Sequence, residues 1–149
     1  MNWKVILLGG LAFTVATFAV GMVTGIYIHN GVLDEIYNTT AVFWQPELNQ
    51  DPPDMAALMP RWITVGLITA FIYAGIYDKI RSALDGSAVL KGLKFGLILF
   101  LITTAWSVGM SGVFNLPQTI WNWWIVEGFI NSMVGGAVLG WVSEKLSPE

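Results

Sequence analysis

Four stretches of this chain, Val5–Ile28, Pro60–Tyr77, Leu93–Phe114 and Thr119–Val142, are long, apolar and almost free of charge. Each has about the 17–25 residues needed to cross a hydrocarbon core about 30 Å thick at about 1.5 Å per residue. Backbone amides in lipid have no water to bond, so a spanning segment must close its own hydrogen bonds, and a helix does this within one segment. The expected fold is an all-α membrane protein, a single domain over residues 1–149 with four transmembrane helices. Composition points the same way: charged residues make up 11% of the chain, against about 25% in a soluble domain. The first apolar run is longer than the roughly 7–15 residues of a signal-peptide core, and no small-x-small site follows it. It is read as a retained helix.

The cations set the expected orientation, because loops on the cytoplasmic face carry the excess of Lys and Arg. Lys4 precedes the first span, Lys79, Arg81, Lys91 and Lys94 bracket the 78–92 connection, and Lys145 follows the last span. Only Arg61 falls on the other side, where the 29–59 loop holds Asp34, Glu35, Glu47, Asp51 and Asp54. Both termini are expected in the cytoplasm and the acidic loop outside an inner (plasma) membrane.

The chain also repeats itself. "WITVGLITA" (62–70) aligns without gaps on "WIVEGFINS" (124–132), and "AVGM" (19–22) on "SVGM" (107–110). Both pairs run the same way through the membrane, which predicts two tandem helical hairpins as a parallel repeat. The outer connection of the second hairpin is short. That of the first is long and carries an apolar stripe at 32, 33, 36 and 37, then "DPPDMAALM", which reads as a helix start with Asp51 as N-cap. These pieces are expected to be short interfacial helices, with Pro60 beginning or kinking the second span.

Gly128, Ser132, Gly136 and Gly140 recur every four residues and form one strip on the fourth span. Gly21 with Gly25, and Gly92 with Gly96, repeat the spacing in the first and third. Small residues let helix backbones approach closely in lipid, where little hydrophobic drive exists between helices. The strips predict interfaces, internal or with another subunit.

Glu127 stands beside that strip with Asn131 one turn further along. A carboxyl within a span is a functional-site candidate whose partner should be named. Arg61 opens the second span at the same side and His29 closes the first. Two accounts follow: Glu127 clamps the hairpins, through Arg61 or Asn131, or it is a proton or cation site in a small cavity open to the outside. His29, the single histidine, is expected to be an interfacial residue. No His/Asp/Glu cluster has metal-ligand spacing, and the absence of cysteine excludes disulfides and thiol chemistry. No metal or cofactor is expected. Most of the eight tryptophans fall near span ends, as in an interfacial belt, with a pocket around Trp106 and Trp124 as the alternative. Asp78, Lys79 and Arg81 read as solvated anchors.

"GxxxGIY" in the first span, the acidic loop, "KGLKFGLIL" entering the third and "GAVLGWVSEK" near the end resemble a group of small four-helix bacterial inner-membrane proteins grouped as domains of unknown function. The resemblance implies a fold and a compartment, and transfers no activity. Three function classes stand open: an accessory or scaffold subunit that joins a homo-oligomer or larger membrane complex, a small ion, proton or solute transporter or channel using Glu127, Arg61 and Asn131, and a binder of lipid or pigment. No catalytic motif is present, and no basic tract suggests nucleic acid.

Overall fold

The structure, a computed structural model, describes residues 2–148. It is 85% helical, with no strand among the described residues, and four of its helices are long and apolar enough to span a membrane. The first, α1, runs Val5–Val32. A short α2 (Asp34–Thr39) follows, then single turns at Ala41–Phe43 and Pro46–Asn49. The remaining three are α3 (Met55–Ile80), α4 (Ala88–Ser111) and α5 (Gln118–Leu146).

Each start has a local cause. Ser87 accepts the Leu90 amide at the head of α4 and Asp54 accepts the Ala57 amide at the head of α3, satisfying donors that a first turn leaves orphaned. The cap of α3 is thus Asp54 and not Asp51: with Pro52 and Pro53 the latter lies before the helix. Pro60 neither begins nor breaks α3, which continues through it. It stands close enough to the N-terminus that its missing N–H would have bonded only within the first turns.

α1 is central, packed against α3 on one side and α5 on the other, while α4 packs on α5. The α4–α5 seam uses the glycine strips. A Cβ placed on Gly92 would strike the Gly136 carbonyl, one on Gly96 the Ser132 carbonyl, and one on Gly140 the Ala88 carbonyl. These backbones touch because no side chain stands between them. Gly21, Gly25 and Gly128 behave differently, since a Cβ on any of them would meet nothing.

Two apolar clusters form the core. Near the termini, Phe13, Ala70, Ala74, Tyr77, Phe95, Leu99 and Leu139 join all four long helices. At the loop end, Ile28, Leu33 and Ile120 pack with Ile36, Tyr37, Trp44 and Trp124. Arg81 is a correction to the sequence reading. It is buried, not a solvated anchor: its guanidinium donates to the Ser143 and Ser147 carbonyls at 3.4 and 2.9 Å and pairs with Asp78 at 3.6 Å. It closes the C-terminus of α5, where unpaired carbonyls and the helix dipole favour a cation.

The α1–α3 pair is close only near the termini. There Gly10 lies against Ala70 and Phe71, and Phe13 meets Tyr73 edge-on at 5.8 Å. Toward the loop end the two helices part, and Gly66, like Gly21 and Gly25, has no neighbour where a side chain would stand.

Candidate functional site

The opening between α1 and α3 is a cavity of about 1220 Å³. Phe18, Met22 and Ile26 form one flank, Met55, Met59 and Trp62 the other, and α2 with the following turns makes the roof. At the back stand Glu127 and Asn131 of α5 and His29 of α1. The apolar flank residues are themselves exposed on the outside of the bundle, Met22 at 68%.

Glu127 holds the back wall together. Thr24 Oγ1 donates to its Oε1 at 2.5 Å, and His29 Nε2 lies 3.0 Å from its Oε2. The far nitrogen of the same ring, Nδ1, is 2.8 Å from the Tyr37 hydroxyl, which also accepts the Trp124 indole N–H at 2.9 Å. The donors of a neutral imidazole can then be assigned. Beside an ionised Glu127, which can only accept, a neutral His29 carries its proton on Nε2 and donates it to the carboxylate, and Nδ1 accepts the Tyr37 O–H. Trp44 fixes the other end of α2, its indole N–H reaching the Tyr37 carbonyl and Thr40 Oγ1 at 3.2 and 3.1 Å. Burial is the main force on the Tyr37 phenol and pushes it above its usual range. The Trp124 N–H opposes that shift and the Glu127 charge adds to it.

The backbone of α1 explains how Thr24 and His29 reach the same carboxylate. Five residues apart on a helix of 3.6 residues per turn, they would point about 140° away from each other. From Gly25 to Val32 the helix widens to π geometry, with Leu33 N–H bonding back five residues to the Ile28 carbonyl at 2.8 Å. With i→i+5 bonding the turn is wider, so residues five apart lie much closer to one face than in an α-helix, and such turns recur at functional sites. The widening therefore turns His29 onto the face of Thr24.

Of the residues expected from the sequence, the structure gathers Glu127, His29 and Asn131 and leaves Arg61 out. Arg61 is exposed and lines a separate hollow with Gln45, Leu58 and Gly66, on the other side of Trp62. The partner of Glu127 across the hairpins is His29 in place of Arg61. Asn131 lines the cavity and its buried Oδ1 has no bonding partner. Trp106 stands apart from the site, 69% exposed on α4, so the aromatic wall is made by Trp124 with Tyr37, Trp44 and Trp62. Thr24 and Tyr37 carried no chemical signal in the sequence, although Tyr37 belongs to the apolar stripe of the loop. No group of three or more His, Asp or Glu that could hold a metal stands together among the described residues.

Geometry and composition define the class: an all-helical protein with four helices able to cross a membrane and a cleft among them. Beyond that class, no protein-family model, no curated protein and no solved structure matches the chain. The resemblance to small inner-membrane proteins thus rests on its sequence motifs alone.

Proposed function

We propose that this chain is a membrane-embedded binding protein for a small amphipathic molecule, taken up from the lipid between α1 and α3. The observation that carries this reading is the cleft itself, apolar on its flanks and polar at its back wall around Glu127, His29 and Asn131 and along the loop that roofs it. Ligand sites are commonly built this way, with apolar walls and a few placed polar groups. The distribution of Lys and Arg supports cytoplasmic termini and a cleft reached from the outer leaflet of the inner membrane. A parallel repeat fits the same arrangement: Gly66 and Gly128 occupy equivalent places in "WITVGLITA" and "WIVEGFINS", and both face open space.

A scaffold would have to use Gly21, Gly25 and Gly128, which face open space, because Gly92, Gly96, Ser132, Gly136 and Gly140 are taken up between α4 and α5. Proton or cation passage is the second reading, favoured by the continuous Glu127–His29–Tyr37 chain of contacts. Photolabelling tests the first. An alkyl alcohol bearing a diazirine, added to the reconstituted protein, should label the facing segments 18–26 and 55–62 saturably, and Met22→Trp with Met59→Trp should block it. Labelling spread equally over the outward face of α4 around Ile102 and Trp106 would overturn the proposal, since that face is as apolar but has no cleft.

A further inference from the structure

Resting on the reading of the cleft as a ligand site, the geometry points to a lipophilic organic cation, an ammonium amphiphile, as its occupant. Charge is the first argument. Glu127 stands at the back and Asp34 and Asp51 stand at the mouth, while no Lys or Arg lines the cleft among the described residues. Neither aspartate is in an ion pair among the described residues. The one nearby cation, Arg61, lies in the separate hollow beyond Trp62.

Bonding capacity is the second. Each Glu127 oxygen takes one protein donor, Thr24 on Oε1 and His29 on Oε2. A carboxylate offers about four acceptor positions, so it retains capacity for a ligand. A head group that brings donors or positive charge completes this wall, whereas a phosphate or sulfate would meet three carboxylates and no Lys or Arg, the one imidazole there, His29, being already turned to Glu127. Like charge brought together in a desolvated site is strongly disfavoured.

Aromatic lining is the third. Tyr37, Trp44, Trp62 and Trp124 all border the cavity. The negative face of an aromatic ring attracts an ammonium group, most strongly for Trp and where water is excluded. Carboxylate, aromatic walls and apolar flanks together match a cationic head on a hydrophobic body. A neutral alcohol could reach the free acceptor positions of Glu127 and the flanks, but would gain nothing from the two aspartates or the ring faces.

The test measures binding of radiolabelled tetraphenylphosphonium to the full chain in phosphatidylcholine nanodiscs, with empty discs subtracted. Saturable binding is expected, displaced by dodecyltrimethylammonium at concentrations about tenfold below those needed with dodecanol, and not by dodecyl sulfate. Glu127→Gln should weaken it about tenfold, which equals ~1.4 kcal/mol. Asp34→Asn with Asp51→Asn, both on exposed residues outside the helix seams, provides a second variant in which folding is not at stake, and a loss of severalfold that shrinks at high salt is expected there. Saturable binding of dodecyl sulfate or dodecanol in place of the cations overturns the cationic assignment and leaves the amphiphile site standing. No saturable binding by any of the four probes removes both.

Discussion

Thr24→Val isolates one bond of the site, because it keeps the shape of a buried side chain and deletes the hydroxyl that holds Glu127 Oε1. A hydrogen bond to a charged group contributes about 1.5–3 kcal/mol in soluble proteins. Interhelical bonds within membranes average nearer 0.6 kcal/mol and reach about 1.7. The acceptor is a carboxylate whose side chain is 17% exposed, so the upper membrane value applies. Thr24→Val is expected to lower the unfolding free energy by about 1.5 kcal/mol. In a Glu127→Gln background the acceptor is a neutral amide, and the same substitution should cost only about 0.6 kcal/mol. The difference, a coupling of about 1 kcal/mol, belongs to the Thr24–Glu127 pair alone. Tryptophan fluorescence during titration of dodecyl-maltoside micelles with SDS measures all four variants. If Thr24→Val costs the same in both backgrounds, the hydroxyl does not bond the carboxylate, and the account of the widened helix turn fails with it.

The glycines divide into two groups with opposite expected responses in the same assay. Gly92→Ala or Gly136→Ala puts a methyl against a carbonyl of the facing helix and should destabilise by about 1–3 kcal/mol, whereas Gly21→Ala or Gly128→Ala enters open space and should be neutral or stabilise by up to about 1 kcal/mol through helix propensity. Equal losses in both groups would refute the α4–α5 seam. Tyr37 adds a pH dependence. Its folded pKa lies above the ordinary 10.0, so burial favours the neutral phenol. That contribution is complete below about pH 10 and is lost as pH rises through the folded value. The ultraviolet titration difference between the wild type and Tyr37→Phe should show one phenol ionising later than a free tyrosine, and an ordinary midpoint would refute its burial against Trp124.

The helices were legible because membrane thickness turns length and hydropathy into a count, and the α4–α5 seam because close backbone approach demands small residues at a fixed spacing. The partner of Glu127 was less so. Depth in the membrane placed Arg61 and His29 equally near, and the choice depends on rotation about α1. A reading at 3.6 residues per turn puts His29 on the wrong face relative to Thr24, and nothing in "GIYIHNGV" announces the π turn. Arg81 was misread for a related reason. A cation in a last turn is solvated in most helices, but here the end of α5 lies beside it and presents open carbonyls. Helix periodicity carries no information about which neighbouring end will be unsatisfied.

Several departures from close helix packing lie together. The π turn at Gly25–Val32, the parted halves of α1 and α3, Gly21 and Gly25 with no neighbour, and Asn131 with its buried unbonded oxygen all border one volume. Each carries a cost that a close-packed bundle would avoid. The other half of the molecule also has a π segment, at Val5–Gly9, and a buried unbonded Ser143 hydroxyl, but there the helices close, with the α4–α5 glycine seam packed and Arg81 engaged at the end of α5. A chain able to pack α4 on α5 so tightly has the means to close α1 on α3, yet large flexible Met22, Met55 and Met59 stand there in place of a small-residue seam. Unbranched thioether side chains adapt to varied shapes and are frequent on surfaces that accept more than one partner. The cleft is therefore best understood as a site that admits a family of related lipophilic cations, with Glu127 fixing the head and the methionines accommodating differences in the body.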